Sequence, residues 1–372
     1  MIDQLVIPAP DAMPIPAPIW LLKGLLLLTF LLHIVLMNLT LGGSFIAFIT
    51  DRKGRTTNSG YHLALAKTFS KMIPVTMAFT ITLGVAPLLF LQVLYGQLFY
   101  TATVLMAWQW LSVILFVILA YYVFYFYSYR WEKLHDYRPW VVVVGTLLMV
   151  VVAFMLTSAM TLMLDPQKFA GIFHANPSGT HWNTGEVTLI PRLLHFLVAA
   201  VAVTGLAIVI HGLRKMKSDE GFGRWALRYG ASWFSVATIV QMGIGIWFLL
   251  SLPKDVMMLF MGQNILATVF LGLAFLMPVA SIMLILLASR SEQPRTMAIG
   301  GITVLGLTLV VMVIIRDLVR DGYLAGMFDV FDRTVEPQWG VLAVFGVIFI
   351  AGLGVVAYML NKVRLASRQA QA

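Results

Sequence analysis

Three of the seven histidines lie within long stretches that carry no Asp, Glu, Lys or Arg. These are His33, His195 and His211. An ionisable side chain inside an apolar segment is costly unless it has a task there, so each is a candidate functional residue. The other four histidines, at positions 62, 135, 174 and 181, fall between the apolar stretches. We expect those four side chains to be solvated.

Arg192 precedes His195 by three residues, so on a helix the two side chains share nearly the same face. A neutral imidazole can ligate a heme iron axially, and an arginine one turn nearer to water can pair with a heme propionate. Arg192 is equally well suited to anchor a helix at the membrane interface. His211 lies about 24 Å further along a helix and cannot share a heme with His195. We expect it at the interface, beside Arg214.

His33 is followed by small residues, among them Gly42 and Gly43. Small residues near a histidine allow a flat ligand to pack against the helix. His33 is therefore a second candidate ligand. The alternative is a histidine that donates a hydrogen bond to a backbone carbonyl between helices.

Carboxylates are absent from the apolar stretches, which instead contain Gln92 and Gln109. Glutamine can form hydrogen bonds but cannot titrate, which argues against a proton-coupled transporter. Methionine is abundant, with 21 residues. Met261, like Met257 and Met258, is placed to reach a heme ligated by His195, although each alone is a typical packing residue.

Composition excludes a water-soluble fold. Of 372 residues, 60% are hydrophobic and 11% are charged, with a mean hydropathy of +0.91, whereas soluble domains carry about 25% charged residues. The sequence has no cysteine, which excludes covalent heme c and an iron–sulfur cluster ligated by this chain. The net charge of +9 is interpreted as a membrane topology signal, not as a nucleic-acid-binding surface.

Nine apolar segments are long enough to cross a bilayer, which takes about 20 residues per helix. Continuous apolar runs favour helices over a barrel. The stretch 72–129 exceeds one span and is expected to break at Tyr95-Gly96-Gln97. We predict an all-α integral membrane protein that forms a single membrane domain over residues 1–372. Its spans lie at about 20–49, 70–95, 102–128, 139–164, 190–213, 227–252, 257–288, 297–318 and 338–361.

Basic residues are distributed unequally between the two sides of the membrane. With the loops assigned alternately, the side of the N-terminus receives seven of the 25 Lys and Arg residues, and the other side receives eighteen. Positive charge stays on the cytoplasmic side. The N-terminus is therefore predicted outside and the C-terminus in the cytoplasm. The longest outer loops are 165–192 and 316–337.

Three segments together resemble a known family. The stretch from His33 to Gly43 resembles the first span of the large, heme-bearing subunit of cytochrome bd quinol oxidases. Leu83-Gly84-Val85-Ala86, followed by Gln92, is similar to that family's second span. Arg192-Leu-Leu-His195 resembles its fifth span. The nine-span topology is also that of the family, and the resemblance is closest over spans one to six.

The resemblance implies one or more hemes b near the outer face, in a bacterial or archaeal cytoplasmic membrane. His195 would ligate the iron of a low-spin heme, and His33 that of a second heme between spans one, two and three. The family takes a methionine ligand from span seven, where Met261 is the nearest candidate here. Gln92 and Gln109 stand where the family has glutamates that ligate heme or supply protons.

The departures from the family are informative. Residues 251–255 replace the long hydrophilic loop that helps the family to oxidise quinol, and span eight has no glutamate before Arg316. A quinol site is therefore not expected. Since oxygen reduction consumes protons, the neutral Gln92 and Gln109 also argue against an oxidase site.

We therefore expect a membrane-embedded b-type cytochrome subunit of a respiratory electron-transfer complex, which passes electrons through heme near the outer face. Its partners would be the lipid bilayer, other membrane redox subunits (a second bd-like subunit among them) and a c-type cytochrome at the outer face, with no nucleic acid. One alternative is a terminal oxidase fed by cytochrome c. A second is a heme-free structural subunit of a membrane redox complex. A transporter ranks last, because Pro87 and Pro278 lie in no matching repeat.

Overall fold

The computed structural model describes residues 13–369, with side chains as far as residue 366. This part of the chain contains nine helices long and apolar enough to cross a bilayer, which confirms the predicted all-α class and span number. Residues 1–12 lie outside the described part, and the sides of the membrane on which the two termini lie stay a prediction from the distribution of basic residues. The nine helices are α1 (Ile19–Thr56), α2 (Gly60–Leu105), α3 (Ala107–Tyr129), α4 (Arg138–Leu162), α5 (Leu189–Lys215), α6 (Glu220–Leu250), α7 (Ile265–Arg290), α8 (Arg295–Leu324) and α9 (Trp339–Gln369).

The predicted break at residues 95–97 is a kink within a longer helix. Tyr95 has non-helical backbone angles (φ −126°, ψ 27°), yet α2 continues to Leu105 and α3 begins at Ala107. Leu94 and Leu98, on either side of the kink, are buried in one apolar cluster. A bent helix keeps both side chains in that cluster, whereas a turn at this point would separate them.

Helix α7 begins eight residues later than predicted. Residues 254–263 form a short helix and an irregular turn, in which Gly262 has a φ of 118°, a conformation that favours glycine. Asn264 then caps α7, because its side-chain oxygen accepts a hydrogen bond from the Ala267 amide at 3.1 Å. Met261 consequently lies on the turn and not on a membrane-spanning helix.

Five helices form a ring. Contacts join α1 to α5, α5 to α6, α6 to α7, α7 to α8, and α8 back to α1. Within the ring α5 packs mainly against α1 and α6 and touches α8 at only a few positions, so α7 and α8 form the wall that faces it. Outside the ring, α2 and α4 pack on α1, and α3 packs on α2 and α4. None of the α9 side chains that the structure describes is buried.

Helices α1 and α5 touch through their backbones at Gly42. A Cβ atom at this position would overlap the carbonyl group of Ala200 on α5. One turn away, the hydroxyl of Thr204 donates a hydrogen bond to the backbone oxygen of Asn38 at 3.0 Å. This close approach sets the distance between two walls of the ring.

Replacing Gly42 with alanine should lower the melting temperature of the purified protein in detergent. The added methyl group would force α1 and α5 apart, and overpacking of this kind costs about 1–3 kcal/mol. Gly24 on the same helix is a matched control, since a Cβ there would meet no atom within 4 Å. Gly24→Ala should leave the melting temperature unchanged or raise it. Equal melting temperatures for both variants would contradict the close α1–α5 contact.

Candidate cofactor site

A partly enclosed cavity lies inside the five-helix ring. It encloses about 1540 Å³ of space free of protein atoms, its open mouth included, and its walls come from α1, α5, α6, α7, α8 and the segment that precedes α7. Buried apolar clusters flank it, one around Leu227 and Ala298 and the other around Val256 and Ala267. The second cluster lies at the end of the bundle that the charge distribution predicts to face outward, called the outer end below. Most lining residues are apolar, and the polar ones are Asn38, Arg192, His195, Thr238, Gln241, Thr308 and Arg316.

His195 lines this cavity from α5, near the outer end. Gln241 on α6 donates a hydrogen bond to the backbone oxygen of His195 at 2.9 Å, and Gly245 lies beside the imidazole ring. The Nδ1 atom of His195 is buried and has no hydrogen-bond partner among the described residues. A buried polar atom without a partner costs about 1–3 kcal/mol. Such an atom at a cavity wall is typical of a residue that serves a ligand.

Two arginines line the same cavity. Arg192 lies one turn from His195, and its guanidinium carbon is 5.1 Å from the centre of the Phe248 ring. Its Nε and Nη2 atoms are buried without a partner. Arg316 enters from α8, with its guanidinium carbon 4.2 Å from the centre of the Phe30 ring. Neither arginine forms an ion pair with a carboxylate in the described part of the chain.

The nearby carboxylates of α8 are engaged elsewhere. Asp317 and Asp321 lie 3.1 and 2.8 Å from the Nζ atom of Lys23 on α1. Asp317 also pairs with Arg320. The pairs with Lys23 join α8 to α1, and Arg316 has no counter-charge within the part of the chain that the structure describes. Cations at an apolar cavity wall are rare unless paired, so the cavity is suited to an apolar ligand that carries negative charge.

Arg316 was missed by the sequence interpretation, which placed it in an outer loop. The sequence does contain a signal, because Arg316 follows twenty residues without charge and α8 continues eight residues beyond it. An arginine in such a position lies on a helix near the membrane interface and not in a loop.

His33 lies at the contact between α1 and α2, and it is not part of the cavity lining. Its Nδ1 atom donates a hydrogen bond to the backbone oxygen of Thr80 at 3.0 Å. Gly84 leaves room for the ring, since a Cβ there would come within 2.9 Å of the imidazole. In this tautomer Nε2 carries the lone pair. The contact fits both alternatives, a ligand oriented by a carbonyl group and a histidine that joins two helices.

The remaining predicted site residues lie apart from the cavity. Gln109 on α3 is buried and donates a hydrogen bond to the backbone oxygen of Thr180 at 3.0 Å. Gln92 on α2 is half-buried and does not line the cavity. Met261 is 58% exposed and does not line it either. The structure therefore brings together His195 and Arg192 but none of the other predicted residues.

The histidines outside the site follow the sequence interpretation with one correction. His135 and His174 are exposed, as expected, and His181 is partly buried. His62 was expected to be solvated, but it is buried in the first turn of α2. It is buried because its ring packs against Trp225, with the ring centres 4.7 Å apart. His211 lies near the predicted inner end of α5, against Phe222.

Comparisons with known proteins bear on the fold. No known protein family and no curated protein matches this sequence. Among solved structures, the chain is similar to the structure of bd oxidase from Geobacillus thermodenitrificans, with a TM-score of 0.67 and 12% sequence identity. The similarity covers 94% of this chain and 99% of that chain. The protein therefore has a fold of the bd oxidase type.

Proposed function

We propose that this chain is a b-type cytochrome subunit of a respiratory electron-transfer complex in a bacterial or archaeal cytoplasmic membrane. The observation that carries the proposal is the composition of the cavity. Among the described residues, one histidine with an unpartnered ring nitrogen and two arginines without an ion pair, Arg192 and Arg316, line a largely apolar space between helices. A heme b has matching parts: an iron that takes an imidazole, an apolar macrocycle and two propionates. The bd-type fold supports the same reading.

Each group in the cavity has a task in this proposal. His195 would hold the iron through an imidazole nitrogen, and α6 holds the backbone of His195 through Gln241. Arg192 and Arg316 would each pair with a propionate. The apolar lining would exclude water. When bound, heme supplies a site that accepts and releases one electron at a time.

His33 is proposed as the ligand of a second heme on the resemblance and on its free ring nitrogen. Its hydrogen bond to Thr80 orients the ring as a ligand histidine requires. The two histidines do not share one cavity. A second heme would therefore occupy a different place from the heme at His195.

Electrons would enter or leave at the outer end, where Arg192 and Arg316 lie. The segments 163–188 and 325–338 cover this end and would dock a c-type cytochrome or another redox subunit. Within the first segment, Lys168 lies 2.7 Å from Asp165 and 3.3 Å from Glu186. The hydrogen bond to Asp165 raises the pKa of Lys168, so this side chain stays charged at neutral pH. A second bd-like subunit would pack beside this chain in the bilayer.

The first experiment is an absorption spectrum of the purified protein, reduced with dithionite minus oxidised, recorded with and without carbon monoxide. We expect a b-type signal with a low-spin component that carbon monoxide does not change. A signal that carbon monoxide shifts completely would indicate an open iron and favour the oxidase alternative. Intact, folded protein without a heme signal would contradict the proposal and leave a structural subunit.

Replacing His195 with alanine should abolish the low-spin b-type band, because the cavity wall would lose its imidazole. His211→Ala is the matched control on the same helix, about 24 Å away, and should keep the band. Heme content is measured by extraction for both variants. An unchanged spectrum in His195→Ala would refute the ligand assignment.

Arg192→Leu and Arg316→Leu should each lower the midpoint potential of the heme while heme content stays the same. A cation near the iron favours the reduced state, and its removal favours the oxidised one. The potential should also become more dependent on pH, because an unpaired propionate takes up a proton more readily on reduction. Arg290→Leu removes the same charge from the opposite end of the bundle and should change neither property. Potentials equal to that of the wild type would leave both arginines as interfacial anchors.

A further inference from the structure

The cavity offers two thioether groups among its described lining residues, from Met242 on α6 and Met312 on α8. Heme iron in a six-coordinate site needs a donor on each face. The side chains that α7 contributes to the cavity (Leu271, Ala274, Phe275 and Pro278) contain no donor atom. The candidates for a second ligand therefore lie on other walls.

Met242 lies on the same side of the cavity as His195. Its neighbour in sequence, Gln241, bonds to the backbone of His195, and Gly245, one turn further along α6, lies beside the imidazole ring. A ligand opposite His195 must come from the facing wall. In the ring of helices, that wall consists of α7 and α8, since α6 packs along α5 whereas α8 touches α5 at only a few positions.

Met312 lies at about the same distance from the outer end of the bundle as His195. Helices α5 and α8 run in opposite directions across the membrane. From the outer end inward, residue numbers therefore increase along α5 and decrease along α8. His195 lies three residues inward of Arg192, about 4.5 Å, and Met312 lies four residues inward of Arg316, about 6 Å. Spacings of three and four place each pair on one helix face. The charges of Arg192 and Arg316 lie close enough to interact, which places the two pairs near one another at the outer end.

We infer that Met312, together with His195, would hold the iron in the heme site that the proposed function requires. Each of two facing helices then contributes one ligand and, one turn outward, one arginine for a propionate. The inference rests on the proposed function and departs from the expectation that span seven supplies the methionine. Met261, the residue predicted from span seven, is largely exposed on the turn before α7.

A thioether opposite an imidazole has measurable consequences. With an imidazole and a thioether both bound to it, the iron would have no open position, so carbon monoxide would not bind. Ferric heme with a thioether ligand shows a weak far-red charge-transfer band that an imidazole pair does not show. Methionine also stabilises ferrous iron and raises the reduction potential. A methionine that only fills space would influence none of these properties through the iron.

The test compares Met312→Leu with two matched controls, Met242→Leu and Met261→Leu, in the full-length protein. We expect Met312→Leu to retain its heme and to lose the far-red band. It should bind carbon monoxide in an amount equal to the low-spin heme that His195 holds in the wild type. Both controls should keep the band and stay insensitive to carbon monoxide. Met312→His should restore the low-spin state without the far-red band and with a lower potential than the wild type.

The outcomes separate this inference from the proposed function. Wild-type protein without heme would refute the proposed function, and a low-spin band unchanged in His195→Ala would refute the assignment of His195 and, with it, that of Met312. Heme that depends on His195 but keeps the far-red band in Met312→Leu would overturn only the assignment of Met312. Loss of the band in Met242→Leu or Met261→Leu instead would transfer the assignment to that methionine. If Met312→Leu fails to fold, an unchanged far-red band and potential in Met312→His would overturn the assignment equally well.

Discussion

Positive charge inside an apolar cavity is the constraint on which much of this structure depends. A guanidinium that leaves water without a counter-charge costs several kcal/mol. Arg192 and Arg316 both line the cavity without an ion pair among the described residues, although two carboxylates, Asp317 and Asp321, lie within five residues of Arg316 on α8. Those carboxylates pair with Lys23 and Arg320. The pairs with Lys23 hold α8 against α1, so the contact that closes the helix ring also leaves Arg316 available to a ligand.

The helix ring holds the site residues in fixed positions, although most of the cavity lining is apolar. Gly42 allows α1 and α5 to touch, and Gln241 links α6 to the backbone of His195. The site residues are carried by helices rather than loops, and rigid helices hold ligands in place better. A fold of the bd oxidase type is retained at 12% identity, which shows that helix packing of this kind tolerates extensive change in sequence.

Helices α2, α3 and α4 form a separate layer outside the ring, and α2 and α3 carry Gln92 and Gln109. His33 of α1 faces this layer at its contact with α2, away from the cavity. The amide of Gln109 is hydrogen-bonded to the backbone of the loop that covers the outer end. This contact gives a neutral residue a structural task at a place where a carboxylate would have to be desolvated. It agrees with the proposed function, since the described lining of the cavity contains no carboxylate.

The sequence by itself determined the all-α class and the nine spans, and it predicted that Arg192 and His195 share one helix face. Segment length, apolarity and an i, i+3 spacing are local properties. Only the tertiary structure decided which other residues reach the cavity. Arg316 and Met312 are more than a hundred residues from His195. Helices that are apolar on all sides carry no periodic signal for the face that points inward. Which face meets a cavity, a neighbouring helix or lipid depends on how all the helices pack, and a single segment cannot contain that information.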